Sequence, residues 1–131
     1  MSARALLDTH ALLRFITDDA RLGARARAVI ESPGARVWVS VASTWEIATK
    51  HSIGKLPLAA PFDETFPAQL NANAFEVLGV DLAHLSRLVA LPFHHRDPFD
   101  RLIVAQAQAE GLPVLTRDRH IAQYDLEVVW S

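Results

Sequence analysis

Short apolar runs alternate with longer amphipathic stretches along the whole chain. Residues 4–7 form the first apolar run, and residues 9–16 then change to the spacing that is typical of a helix. A short run without polar interruption indicates a strand that is buried on both faces. Because the alternation continues to the C-terminus, the pattern predicts a parallel α/β sheet whose strands are joined by helices.

The other predicted elements follow the same order, and their bounds are set by caps, glycines and prolines. Further strands are predicted at 36–39, 75–80, 114–116 and 126–130. Helices are predicted at 21–31, from Ser43 to Gly54, at 63–71, from the cap Asp81 to Leu91, and at 99–110, with a helical turn at 119–124. Since no repeat or linker interrupts this order, residues 1–131 are predicted to form a single domain.

Composition limits the classes of site and partner. Half of the 131 residues are hydrophobic, which is enough for one ordinary core. The absence of cysteine excludes disulfides, thiolate zinc sites and a cysteine nucleophile. A net charge of −2 excludes a generally basic surface, so nucleic acid would have to bind a local patch. No apolar stretch is long enough to span a bilayer, and we expect a cytoplasmic protein without a membrane partner.

Four acidic residues lie where predicted strands end or helices begin: Asp8, Glu46, Asp100 and Asp118. Ligands of open parallel sheets collect at the carboxyl ends of the strands, near the point where the strand order reverses. We therefore expect these carboxylates to converge on one site. Oxygen ligands of this kind suit Mg²⁺ or Mn²⁺.

Helix capping is a competing interpretation for each acid. Ser43 and Glu46 have the spacing of a capping box, which places Glu46 in the first turn of its helix. Asp8 has the position of a cap for the helix that opens at Thr9, and Asp118 that of a cap for the following turn.

The segment Asp97-Pro98-Phe99-Asp100 also has the form of a helix start. Asp97 is predicted to be the N-cap and Pro98 the first helical residue, which leaves Asp100 in the first turn. Capping explains Asp97 better than it explains Asp100, and the set of four acids is more informative than any single one.

Four segments in the same order resemble the PIN-domain family, in particular the VapC-like toxins of bacterial type II toxin–antitoxin pairs. The segments are Leu6-Leu7-Asp8-Thr9-His10, Ser43-Thr44-Trp45-Glu46-Ile47, His95-Arg96-Asp97-Pro98-Phe99-Asp100-Arg101 and Leu115-Thr116-Arg117-Asp118. Each segment alone is a weak signal, whereas the four in order are specific.

This resemblance implies a three-layer α/β/α, Rossmann-like PIN domain that cuts RNA phosphodiester bonds. It implies that Asp8, Glu46, Asp100 and Asp118 are the catalytic acids, and that Asp8, Asp100 and Asp118 bind Mg²⁺, or Mn²⁺ in its place. Glu46 would then orient or deprotonate the attacking water. The implied partners are an RNA substrate such as tRNA or another structured RNA, a cognate antitoxin, and a second copy in a homodimer.

Side chains around the acids carry further predictions. RNA contacts are predicted for Arg96, Arg101, Arg117 and Arg119, with Lys50, His51 and Lys55 as a second candidate cluster. The alternative is that these residues are solvated surface charges or partners of carboxylates. Thr9 and Thr116 are candidate hydrogen-bond partners of the carboxylates. The pair His94-His95 is interpreted as a polar loop, because no further histidine stands at ligand spacing.

Two other classes of function compete with a ribonuclease. An aspartate after the first strand is also how aspartate-nucleophile phosphohydrolases begin, but the second aspartate they need is replaced by His10, and no glycine-rich phosphate loop is present. The other alternative is a catalytically weak PIN-like protein-interaction module. The intact set of acids argues against that alternative.

Overall fold

A computed structural model of the chain describes residues 3–131, which form one five-stranded parallel sheet. The strands are β1 (Arg4–Leu7), β2 (Arg36–Ser40), β3 (Glu76–Leu78), β4 (Val114–Leu115) and β5 (Val128–Val129). Their order is β3-β2-β1-β4-β5, and every neighbouring pair is parallel. The strand order reverses between β1 and β4, which places a ligand crevice at their carboxyl ends.

Helices connect the strands as the hydrophobic pattern predicts. They are α1 (Thr9–Ile16), α2 (Ala24–Glu31), α3 (Val41–Ser52), α4 (Phe62–Ala72), α5 (Leu82–Ala90) and α6 (Pro98–Glu110), with a 3-10 turn at Ile121–Gln123. The start of α2 lies later than predicted, since the Asp19 side chain accepts from the Arg21 N–H and holds a turn there. Within residues 3–131, no helix has the length and apolar character needed to cross a membrane.

The sheet is buried on both faces, as the uninterrupted apolar strands predict. Ala5 and Leu7 contribute to one apolar core, while Leu6 between them contributes to the other. Each of the three is fully buried. The alternation of side chains along β1 therefore confirms a three-layer α/β/α architecture.

Most predicted helix caps are confirmed. Asp8 caps α1 by accepting from the Ala11 N–H at 2.8 Å. Asp97 caps α6 by accepting from the Asp100 N–H at 3.0 Å, with Pro98 as the first helical residue. These caps fix the backbone on which two of the predicted site acids stand.

The predicted start of α3 is wrong. The helix begins at Val41, and its N-cap is Ser40, whose Oγ accepts from the Ala42 N–H at 2.9 Å. A capping serine that directly ends β2 outcompetes the later one, so Ser43 lies buried inside the helix and forms no capping box. Glu46 is consequently the sixth residue of α3, outside its first turn.

Candidate active site

Thr116 couples the ends of the two central strands. Its hydroxyl donates to Asp8 Oδ2 at 2.6 Å and accepts from the backbone N–H of Asp118 at 2.9 Å. Asp8 directly follows β1, and Asp118 lies just beyond β4, so the sheet brings together two acids from opposite ends of the chain. The predicted hydrogen-bonding role of Thr116 is confirmed.

Asp8 is buried, and both of its carboxylate oxygens have protein partners. Oδ1 accepts from Ala11 N and Oδ2 from the Thr116 hydroxyl. Burial nevertheless raises the pKa of Asp8 above its ordinary value, although both hydrogen bonds oppose the shift. The negative charge of Asp118 raises this pKa further.

Glu46 is also buried and held at both oxygens. The Thr9 hydroxyl donates to Oε1 at 2.6 Å, and the Lys50 ammonium pairs with Oε2 one helical turn away. This contact raises the pKa of Lys50. Lys50 is therefore a carboxylate partner, one of the two interpretations that the sequence left open. We call Asp8 and Glu46 the inner pair.

Asp100 and Asp118 form an outer pair around His95. His95 Nε2 lies 3.0 Å from Asp100 Oδ2 and 3.1 Å from Asp118 Oδ2. The backbone N–H of Asp97 points at His95 Nδ1 from 3.1 Å, so Nδ1 is the acceptor and Nε2 carries the hydrogen that faces the carboxylates. All three side chains are only partly buried.

The two outer acids differ in their electrostatic surroundings. Burial raises the pKa of Asp100 to about 7, and the charges of Asp97, Glu46 and Asp8 add to this shift while His95 opposes it. Burial also acts to raise the pKa of Asp118, but hydrogen bonds from the Ile121 and His120 N–H groups and from His95 outweigh it and leave a lowered value.

The donor set fits a divalent cation. The ionised forms of two of these carboxylates are disfavoured, since burial raises the pKa of Asp8 and of Asp100 and neighbouring acids add to both shifts. Oxygen ligands in such a setting are typical of Mg²⁺ and Mn²⁺ sites. Ligand atoms of His95, Asp100 and Asp118 all lie within 4.8 Å of one another. This group shares Asp100 and Asp118 with the predicted metal ligands but contains His95 where the prediction has Asp8.

His95 was missed by sequence reasoning. It lies in a loop, as predicted, but its ring contacts both outer acids and is not merely a polar loop residue. The available signal was its place two residues before the α6 cap, where a side chain is able to fold back onto the cap N–H. Its partner Asp118 is remote in sequence, so the spacing of residues did not predict this contact.

One predicted RNA contact is wrong. Arg101 is buried, and its guanidinium donates to backbone carbonyls, among them Pro92 O at 3.0 Å and Leu88 O at 3.3 Å. By contrast Arg96, Arg117 and Arg119 are exposed beside the acids. Across residues 3–131 these three form no salt bridge, and their contact with RNA stays a prediction.

Comparison with known proteins identifies the family and the fold. The sequence model of the PIN domain matches residues 5–127. No curated protein matches the chain at a significant level.

Solved structures of similar fold include VapBC2 from Rickettsia felis bound to a promoter DNA fragment, with a TM-score of 0.74, 13% identity, and 98% of this chain and 99% of that chain covered. They also include a toxin–antitoxin complex from Klebsiella pneumoniae, with a TM-score of 0.63, 20% identity and 95% of each chain covered. VapBC-5 from Mycobacterium tuberculosis has a TM-score of 0.61 and 23% identity over 97% of this chain and 98% of that chain. At these identities the likeness shows the fold alone.

Proposed function

Since this chain belongs to the PIN domain family, we propose that it is a metal-dependent endoribonuclease and the toxin of a type II toxin–antitoxin pair. The observation that carries the proposal is the convergence of inner and outer acids at the carboxyl ends of β1 and β4, where Thr116 joins Asp8 to the Asp118 backbone and His95 joins Asp100 to Asp118. The toxin–antitoxin systems among the structural neighbours support the second part.

Asp8, Asp100 and Asp118 would hold the Mg²⁺ or Mn²⁺ ion. When bound, such an ion lowers the pKa of water and offsets charge that develops on the phosphoryl oxygens. Thr116 holds the Asp8 carboxylate in place, because its hydroxyl fixes Oδ2. The ordered carboxylates thus supply a site that needs little rearrangement when substrate arrives.

Glu46 orients the attacking water and accepts its proton. Thr9 and Lys50 fix the Glu46 carboxylate, and each of its oxygens keeps a further lone pair for a water hydrogen. The ion pair with Lys50 spans one helical turn, so it holds the Glu46 carboxylate against the helix that carries it.

Exposed arginines bring the RNA backbone to this negative site. Arg96, Arg117 and Arg119 are adjacent in sequence to His95 and Asp118, which places their charges at the rim. Phosphates bound there would offset the repulsion between the acids and a polyanion. Substrates of this kind include tRNA and other structured RNAs.

We propose that the toxin binds a cognate antitoxin and forms a homodimer with a second copy of itself. A cationic antitoxin segment is complementary to the outer acids and would exclude substrate from them. The alternative is a catalytically weak interaction module, which would bind the same partner without turnover. The retained acids and their hydrogen bonds favour the enzyme.

The test is cleavage of a panel of tRNAs and structured RNAs by purified protein in Mg²⁺, Mn²⁺ or chelator. Asp8→Asn protein prepared identically controls for contaminating nuclease. We expect the wild type to cleave RNA in Mg²⁺ or Mn²⁺ and not in chelator, and we expect Asp8→Asn not to cleave. No cleavage of any RNA by folded, metal-bound wild type, or equal cleavage by Asp8→Asn, would overturn the proposed activity.

A further inference from the structure

Trp45 is a large aromatic side chain that the fold leaves open to solvent. It is 60% exposed, although its neighbour Glu46 is buried in the acidic site. Trp45 lies on α3, the same helix that presents Glu46 and Lys50. A tryptophan exposed to this extent contributes little to the core. Its indole is therefore available to contact a ligand outside the chain.

A second aromatic residue fixes the position of this indole. The rings of Trp45 and Phe99 are 5.0 Å apart at an interplanar angle of 81°, an edge-to-face arrangement. Phe99 immediately precedes Asp100 on α6, as Trp45 precedes Glu46 on α3. The aromatic pair therefore connects the two helices that carry Glu46 and Asp100. In an edge-to-face pair, Phe99 covers at most one face of the indole, and the other face stays available.

The other tryptophans differ in this respect. The Trp38 ring is covered by the guanidinium groups of Arg36, at 4.7 Å, and Arg4, at 5.3 Å. The Trp130 ring has Arg14 at 5.6 Å. Among residues 3–131 no such cation lies over Trp45. Its free face is therefore the tryptophan surface best suited to stacking.

We propose that Trp45 stacks on an unpaired base next to the phosphate that is cut and so positions that phosphate at the acids. A base within a duplex is stacked on both sides and offers no face to an indole, whereas a splayed base does. This inference rests on the proposed ribonuclease activity. Trp45 is a positioning residue in it, without a part in the bond-breaking step.

The surroundings favour RNA over a protein partner on this face. The ring partner of the indole, Phe99, immediately precedes Asp100, and the exposed cations Arg96, Arg117 and Arg119 lie next to His95 and Asp118 in the sequence. Cations that bind phosphates together with an aromatic face that stacks on a base are what a single-stranded nucleic acid binds.

The test is a fluorescence titration with a short single-stranded RNA in chelator, where no cleavage occurs. Stacking is expected to quench the tryptophan emission of the wild type. The quench is expected to be lost in Trp45→Phe, which keeps RNA affinity within about threefold since the phenyl ring still stacks. Trp45→Ala is expected to weaken binding by about 5- to 150-fold. Leu82→Ala, at an 80% exposed position on α5, is the control that should bind as the wild type does.

Cleavage assays separate this inference from the proposed function. Equal RNA affinity and equal cleavage in wild type and Trp45→Ala would overturn the stacking role and leave the ribonuclease intact. Quenching by RNA without any cleavage would support stacking and overturn the enzyme. Stronger quenching by a blunt duplex than by the single strand, or dissociation of a dimer in Trp45→Ala without loss of RNA affinity, would also overturn the stacking role.

Discussion

The inner and outer pairs of acids are held in different ways. Both oxygens of Asp8 and both oxygens of Glu46 have protein partners, and threonine hydroxyls hold one oxygen of each. In the outer pair, Asp118 is also bonded at both oxygens, since Oδ1 accepts from the His120 and Ile121 N–H groups and Oδ2 faces His95. Asp100 differs from it, because Oδ2 faces His95 and burial together with nearby acids raises its pKa to about 7. Both outer acids are more exposed than the inner pair.

The difference indicates a division of roles. Fully bonded carboxylates are fixed in advance, so the inner pair and Asp118 define the geometry of the site. In Asp100, burial and neighbouring acids disfavour the ionised form, and a bound cation would stabilise it. The first two predictions break the inner pair, and the later ones change the outer pair.

The largest effect is expected for Asp8→Asn, with cleavage reduced about 100-fold or more because a charged ligand is lost. The fold should persist, since asparagine caps a helix as well as aspartate does and Asp8 is the cap of α1. Asp8→Ala is the matched variant, which should lose about 1 kcal/mol of stability in addition. Cleavage rates and thermal unfolding measure both; an Asp8→Asn protein that cleaves normally would exclude Asp8 from the site.

Thr116→Val should reduce cleavage about 10- to 100-fold, because the methyl group cannot donate to Asp8 or accept from the Asp118 N–H. Metal affinity is expected to fall with the rate. Leu82→Ala on the surface serves as the control, and titration of Mg²⁺ at fixed RNA separates the two effects. If Thr116→Val keeps wild-type metal affinity and rate, the inner pair is not held by its threonine.

His95→Ala should destabilise the metal-free protein by about 1 kcal/mol, since Asp100 and Asp118 then lose their shared partner. Saturating Mg²⁺ should recover part of this loss. Thermal unfolding in chelator and in Mg²⁺ measures both values. An unchanged melting temperature in chelator would show that the imidazole does not compensate the outer pair.

The smallest effect is expected for Asp100→Asn in chelator, a gain in stability of a few tenths to about 1 kcal/mol. The cause is the removal of a partly buried negative charge that also lies near Asp97, Glu46 and Asp8. Denaturant unfolding measures the change, with Asp63→Asn on the exposed first turn of α4 as control. A destabilised Asp100→Asn protein would contradict the idea that burial and neighbouring acids disfavour the ionised Asp100.

Local signals predicted most of the fold, whereas contacts between distant segments limited the prediction of the site. The strand-then-aspartate pattern located Asp8, and the Asp97-Pro98 cap located Asp100, because both depend on neighbours in sequence. The start of α3 was misplaced, as two serines compete to cap it and only the end of β2 decides between them. His95 and Arg101 were misjudged, because their partners belong to other segments of the chain: Asp118 beyond β4 for His95, and Leu88 on α5 for Arg101.

Whether these acids form one cation site is tested most directly by Mg²⁺-dependent thermal unfolding of wild type and Asp100→Asn at constant ionic strength. We expect Mg²⁺ at about 100 times its Kd to stabilise the wild type by about 2.7 kcal/mol, and the same concentration to stabilise Asp100→Asn far less. Equal stabilisation of the two proteins, or none of the wild type by either Mg²⁺ or Mn²⁺, would contradict a single cation site.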